Sequence, residues 1–427
     1  MESTVKKLWS RNFSLLIIGQ LISIFGNQVL NFALPLYILN VSGSPALFGI
    51  VLGVSFLPLV ITAPLGGVVA DRLRKQRIMF WLDLTVTVMI VLYMIVSGML
   101  GAIVPVIMVK LLALNSIQGI YMPAVQASIP ALVPEDSLTR ANSVTTAVNT
   151  LSNIAAPAVA ALLLARFGLF PILLVCAICF ALTSILDLLL RIPYNKQETG
   201  GSIGQIVKND LGQAFRFATV EKPILLKIII IMVFGSLVGG GISAVGVPIF
   251  ITQNLNMGME YVGISRAIGW AGAFLATITA AYLGEKLSIK TYAMFGMLTV
   301  AVLIPISMVL LFGPTLYVSF AIIVLFDTLC GFMAFMYTIA GISYVQKITP
   351  PELIGKVMSV IVAIPLLATG GGVIVWGILF ERFYAMSWLI VFAAALISGI
   401  LILVMGRHFR EARTDEAEIN ARIAVEA

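Results

Sequence analysis

Asp327 stands near the middle of an apolar run, Ile322-Ile323-Val324-Leu325-Phe326-Asp327-Thr328-Leu329. A charged side chain at the centre of a bilayer costs about 2.5–3.5 kcal/mol on insertion scales, so a residue of this type normally faces a cavity and has a task there. A carboxyl in that position can pick up and release a proton. The alternative is an aspartate, protonated or paired, that only holds helices together; the functional reading is the stronger one. Lys110, deep in another apolar run, is its basic counterpart and would either pair with an acid or contact a substrate. Arg266 is basic too, but its stem is long enough to carry the charge outward to water.

Polar side chains recur at helical spacing in two further runs. Gln20, Ser23, Asn27 and Asn31 follow steps of three, four and four, and Asn142, Thr146, Asn149 and Asn153 repeat the pattern. Such stripes face either a wet cavity or another helix. Two of them in one half of the chain favour the cavity, with Gln118 as a further lining residue. Phe332, Met333, Phe335, Met336 and Tyr337 follow Asp327. Methionine and aromatic surfaces adapt to varied apolar ligands, and Phe335 and Met336 are the candidates to line such a site.

Other chemistry is poorly supported. Cys176-x-x-Cys179 has a redox or metal spacing, yet it lies inside an apolar run with no further ligands nearby, where cysteine behaves as a small buried hydrophobe. The sole histidine, His408, stands alone among basic residues. Gly239-Gly240-Gly241 is not followed by the Lys-Ser/Thr of a phosphate-binding loop. Neither a cofactor, a metal site nor a nucleophile with its base is expected, so the chain does not read as an enzyme.

The elements that position these residues are apolar throughout. Of 427 residues, 60% are hydrophobic and 11% charged, against about a quarter charged in soluble domains. Runs near 13–39, 46–70, 78–98, 102–122, 142–165 and 171–190, then 224–250, 261–283, 291–312, 315–337, 358–380 and 387–406, each suffice for a spanning helix. The expectation is an all-α membrane protein: a six-helix bundle over 1–190, a cytoplasmic linker over 191–222, a second bundle over 223–406 and a cytoplasmic tail over 407–427. The linker should start flexibly at Asn195–Gly201 and continue as an amphipathic surface helix through Ile203, Ile206, Val207, Leu211 and Phe215. The tail from Glu411 reads as a cytosolic helix.

Charge sets the orientation. With both termini in the cytoplasm, all of the 26 lysines and arginines except Lys110, Arg166, Arg266 and Arg382 fall on the inner side or its edge. The net charge of +7 therefore belongs to short loops and gives no reason to expect nucleic acid. The halves also repeat: Leu132-Val133-Pro134-Glu135-Asp136-Ser137-Leu138 resembles Lys347-Ile348-Thr349-Pro350-Pro351-Glu352-Leu353, at an offset near 215 residues. Asp187, with Arg191 four residues on, reads as a structural ion pair.

After the second span comes Gly67-Val68-Val69-Ala70-Asp71-Arg72-Leu73-Arg74-Lys75-Gln76-Arg77. This resembles the signature of the major facilitator superfamily, with Arg74 where a Gly or Asp is common. Pro123-Ala124, Ile129 to Pro134, Ala141-Asn142-Ser143, Pro157 to Ala161 and Gly355 to Ser359 are similar to the drug-exporting branch that includes macrolide efflux proteins. That resemblance implies two six-helix bundles around a central cavity, opening to either side in turn. It implies that Asp71 and Arg72, with Lys75 and Asp83, latch the halves on the cytoplasmic side, Asp71 facing the eleventh span. It also implies export of amphipathic drugs from a bacterial cell against an inward flow of protons, by a monomer in the cytoplasmic membrane, with Asp327 and Lys110 as proton-coupling candidates. An exporter of a defined metabolite, siderophore or lipid, an uncoupled facilitator, and a sensor that transports nothing remain the alternatives.

Overall fold

The structure is a computed structural model that describes residues 9–100, 104–193, 212, 213, 215–284 and 289–404. The expected linker start, its surface helix up to Leu211, the tail and His408 lie outside the described residues. Twelve helices are long and apolar enough to cross a membrane. They are α1 Arg11–Ser42, α2 Pro45–Gly67, α3 Lys75–Ser97, α4 Val104–Leu132, α5 Leu138–Phe167 and α6 Leu169–Leu189, then α7 Pro223–Asn254, α8 Met259–Leu283, α9 Thr291–Phe312, α10 Leu316–Ile348, α11 Leu353–Arg382 and α12 Tyr384–Val404. A chain in lipid must satisfy its backbone hydrogen bonds in helices or closed barrels, and apolar runs of this length suit helices and far exceed a barrel strand. On α6, Leu174, Ile178, Leu182, Ile185 and Leu189 are exposed at steps of three and four, an apolar stripe suited to lipid. The chain is a multi-pass membrane protein.

Local chemistry fixes the ends. Ser10 opens α1 by accepting the Phe13 N–H through its hydroxyl at 3.2 Å. Gly43 closes it at φ 63°, in the left-handed region that glycine enters without strain. Gly168, at φ 73°, is the single residue between α5 and α6. α2 is interrupted at Ser55, between helical stretches Pro45–Val54 and Phe56–Arg72. α7 is built differently from the rest, since it passes through π-helical turns at Ser236–Gly240, Ile242–Gly246 and Phe250–Asn254.

Two spans outrun their expected limits. α4 continues to Leu132 rather than 122, and α10 to Ile348 rather than 337. Hydropathy falls before the helix does: Pro123, Gln126, Ser128 and Pro130 lie in the later turns of α4, which remain helical. The repeated segments at 132–138 and 347–353 fall on the α4–α5 and α10–α11 junctions.

The chain forms two compact units. The first comprises Met1–Gly43, Val54–Ile203 and Gly258–Ala267; the second Ser44–Gly53, Gly204–Met257 and Ile268–Ala427. The division departs from a clean cut at the linker, because the first turns of α2 belong to the second unit and the first turns of α8 to the first. In the first unit, α1 packs on α5 and α6, α3 on α6, and the later stretch of α2, Phe56–Arg72, on α4. Its core gathers Phe13, Leu16, Met79, Tyr121 and Ile129. In the second, α9 packs on α10 and α7 on α11. The start of α2 lies there against α11: a Cβ on Gly49 would sit 2.7 Å from the Val373 carbonyl oxygen and 2.9 Å from Gly377 Cα. At that seam the Glu381 carboxylate accepts from the Ser44 hydroxyl and, at 3.0 Å, from the Ala46 N–H.

Candidate functional site

Within the first unit, α1 and α4 share a polar network. Asn27 donates to Gln118 Oε1 at 3.2 Å, Asn31 donates to Asn27 Oδ1 at 2.5 Å, and Asn115 donates to Asn31 Oδ1 at 3.0 Å. Gln28 donates to Asn153 of α5. Asn31, Asn115 and Gln118 are half-buried, so the network meets a surface of the unit rather than sitting in its core. The α5 stripe divides. Asn153 joins α1, Asn149 bonds back to the Thr145 carbonyl, and Asn142 and Thr146 are exposed. Asn115 and Gln28 were missed in the sequence, although Asn115 precedes Gln118 by one helical turn and faces the same way.

Gln20 does not join this network. It is fully buried, inside the unit, and neither amide atom has a hydrogen-bond partner. Ser23, one turn on, donates to Asp83 Oδ1 at 3.2 Å. Asp83 is therefore not part of the loop's charge network, which corrects the sequence expectation. It lies eight residues into α3, 2% exposed, where the helix turns it toward Ser23 of α1. Asp187 also departs from its expected pairing. α6 ends at Leu189 and Leu190 is extended, so Arg191 leaves the helical course that would have brought it over the aspartate. Asp187 is 2% exposed and Arg191 is exposed.

Lys110 is buried in α4 with Nζ 4.7 Å from the centre of the Tyr93 ring. Its ammonium has no hydrogen-bond partner, so of the two expected roles, pairing with an acid or contact with a substrate, the first is not seen. In the connecting segment, Arg72 is exposed, Lys75 is half-buried at the start of α3, and the side chain of Asp71 lies outside the described residues. Below them Gln76 accepts the Ile192 N–H at 3.1 Å, and Asn12 donates to the Arg191 carbonyl at 3.0 Å.

In the second unit Asp327 is 7% exposed on α10, and Gly269 of α8 comes against it: a Cβ there would stand 3.8 Å from Oδ2. Phe335 is exposed and meets Trp270 edge-on, ring centres 6.2 Å apart. Met336 is a correction. It is fully buried in the core with Tyr292, Tyr337 and Ala340, because one helical step turns it away from the face of Phe335. A small apolar cavity lined by Phe234, Val238, Gly239, Thr299 and Tyr337 takes in none of the expected site residues. Among the described residues no cluster of histidine, cysteine or carboxylates could hold a metal ion, and all three cysteines are free.

The family model described as Major Facilitator Superfamily matches residues 16–364. The chain belongs to the major facilitator superfamily. This major facilitator is 24% identical over 403 residues to macrolide efflux protein A of Streptococcus pyogenes, covering 92% of this chain and 94% of the relative. Its fold is similar to a bacterial homolog of the human lysosomal transporter Spinster, in an inward-facing and unoccupied conformation, at TM-score 0.72 and 15% identity over 96% of this chain and 99% of the other. It is also similar to the nucleoside transporter NupG, at TM-score 0.70 and 16% identity over 94% of this chain and 99% of the other. Family and neighbours alike are transporters, and this major facilitator is a transporter rather than an enzyme.

Proposed function

We propose that the protein exports amphipathic drugs, macrolide-like compounds among them, across a bacterial cytoplasmic membrane by proton antiport. The observation that carries this reading is the match to macrolide efflux protein A, which runs nearly end to end in both chains. The site chemistry supports it. Asn27, Asn31, Asn115 and Gln118 offer hydrogen bonds at a half-buried surface, while Trp270 and Phe335 offer apolar contact beside the α10 segment that carries Asp327. Asp327 is the proposed proton carrier, with Lys110 as its basic counterpart. Each proton moving inward gains about 2.3 kcal/mol per 100 mV, which export can draw on.

Both termini are proposed to be cytoplasmic, on the distribution of lysine and arginine. Asp71, Arg72 and Lys75 are proposed to latch the inner side, and the working unit to be a monomer. The test is accumulation of a labelled macrolide in cells expressing the wild type or Asp327→Asn, with and without an uncoupler. Lowered accumulation that both the uncoupler and the substitution abolish is the expected result. Accumulation unchanged by folded, membrane-inserted protein for every macrolide tested would remove the drug-export reading.

A further inference from the structure

We infer that the first unit holds a proton site of its own, built from Asp83 of α3 and Asp187 of α6 and bridged by Gln20 of α1. Both carboxyls are 2% exposed, and each keeps one oxygen, Oδ2, without a hydrogen-bond partner. They lie within electrostatic reach of one another. Gly19 on α1 faces Asp187, where a Cβ would stand 3.9 Å from Oδ1, and Ser23, one turn further, bonds Asp83. Gln20, the residue after Gly19 and one turn before Ser23, is fully buried beside them, with both amide atoms unpartnered.

The titratable groups facing the pair are few. α4 contributes Tyr121, which interacts with Ser23 and with both carboxylates. Lys110, also on α4, is about 16 Å further along the helix at 1.5 Å per residue, against Tyr93 and near Cys176. α1 contributes only neutral groups, Gln20 and Ser23. No described lysine or arginine is bonded to either carboxyl.

Two bare carboxylates in such a place would repel one another without solvent or a cation to offset it. One proton resolves every open valence. A protonated carboxyl of one aspartate donates its O–H to Gln20 Oε1, and Gln20 Nε2–H donates to the ionised oxygen of the other. The three unpartnered oxygens and the unpartnered nitrogen are then all used. A metal ion fits less well, because the free oxygens number three and the remaining neighbours, Ser23 and Tyr121, are already engaged. Loss of the proton reverses the exchange, leaving two carboxylates that Gln20 can serve only one at a time. The site would then loosen α1, the same helix that carries Asn27 and Asn31 into the polar network.

Binding of the proton stands apart from the drug-export reading, and only its coupling to transport rests on that reading. The test is infrared difference spectroscopy of the purified full-length protein in lipid nanodiscs across a pH titration. It is run in an Asp327→Asn background so that Asp327 contributes no signal. A carbonyl stretch of a protonated carboxylic acid is expected, lost in Asp83→Asn and in Asp187→Asn, shifted in Gln20→Leu, and unmoved by added sodium. Should the aspartate variants fail to fold, the shift in Gln20→Leu decides. Absence of the band, or its displacement by sodium at constant pH, overturns the proposal, while macrolide accumulation is scored separately.

Discussion

Replacing Gly49 with alanine probes the seam between the start of α2 and α11. An added Cβ would stand 2.7 Å from the Val373 carbonyl oxygen and 2.9 Å from Gly377 Cα. Ordinary contact begins near 3.4 Å, so about 0.7 Å must be found. Both obstacles are backbone atoms in helix interiors and cannot rotate aside. Overpacking of this kind costs about 1–3 kcal/mol. At about 1.4 kcal/mol per factor of ten, the docked population of the seam should fall about tenfold relative to the separated one. The readout is pulsed electron paramagnetic resonance between spin labels at Leu47 and Ile378, which flank the contact on the two helices. Gly67→Ala is the control, since nothing lies within 4 Å of the Cβ it would add. It should leave the distances unchanged and gain about 0.5–1 kcal/mol from reduced backbone freedom. Equal distance distributions in the wild type and Gly49→Ala would refute the idea that backbone contact holds the seam.

Three further outcomes follow from the same geometry. Glu381→Gln weakens the acceptor for Ser44 and Ala46 and should cost at most about 1 kcal/mol at an exposed site, read as a smaller shift in the same label pair. Lys110→Met removes an ammonium without a hydrogen-bond partner but keeps the stem, so the purified protein should gain about 1–3 kcal/mol in thermal unfolding; a loss of stability would show that the contact with Tyr93 outweighs desolvation. Gln118→Leu leaves the Asn27 amide without its acceptor and should lower macrolide efflux severalfold at unchanged membrane abundance. Efflux equal to that of the wild type would take the α1–α4 network out of the transport path.

Much of the architecture is legible in the sequence, because a membrane helix announces itself by length and apolarity alone. The junction repeats at 132–138 and 347–353 even mark corresponding turns. Helix ends are less visible: α4 and α10 persist into less hydrophobic sequence, since a helix is held by its backbone and not by its hydropathy. The site is legible only in part. Spacing shows that Gln20, Ser23, Asn27 and Asn31 share a face, but an α-helix drifts along a long span, so its two ends meet different neighbours. Ser23 meets Asp83, whereas Asn31 meets Asn115. The pairing of Asp187 with Arg191 failed on a single extended residue, Leu190, which four-residue spacing cannot foresee. Met336 failed because an aromatic and methionine cluster does not reveal which of its members turns inward.

The π-helical turns of α7 have a consequence for how this segment can change over generations. At Phe250–Asn254 the Leu255 N–H reaches back five residues to the Phe250 carbonyl, at 2.9 Å. Each such turn accommodates one residue more than an α-helical turn does. Deleting a single residue there restores α-helical winding locally and leaves the helix beyond it in register, whereas the same deletion in α6 rotates everything downstream by about 100°. Gly239 is a natural place for such a loss, with open space where its side chain would be. Length polymorphism within a membrane span, ordinarily ruinous, is thus a route open to α7.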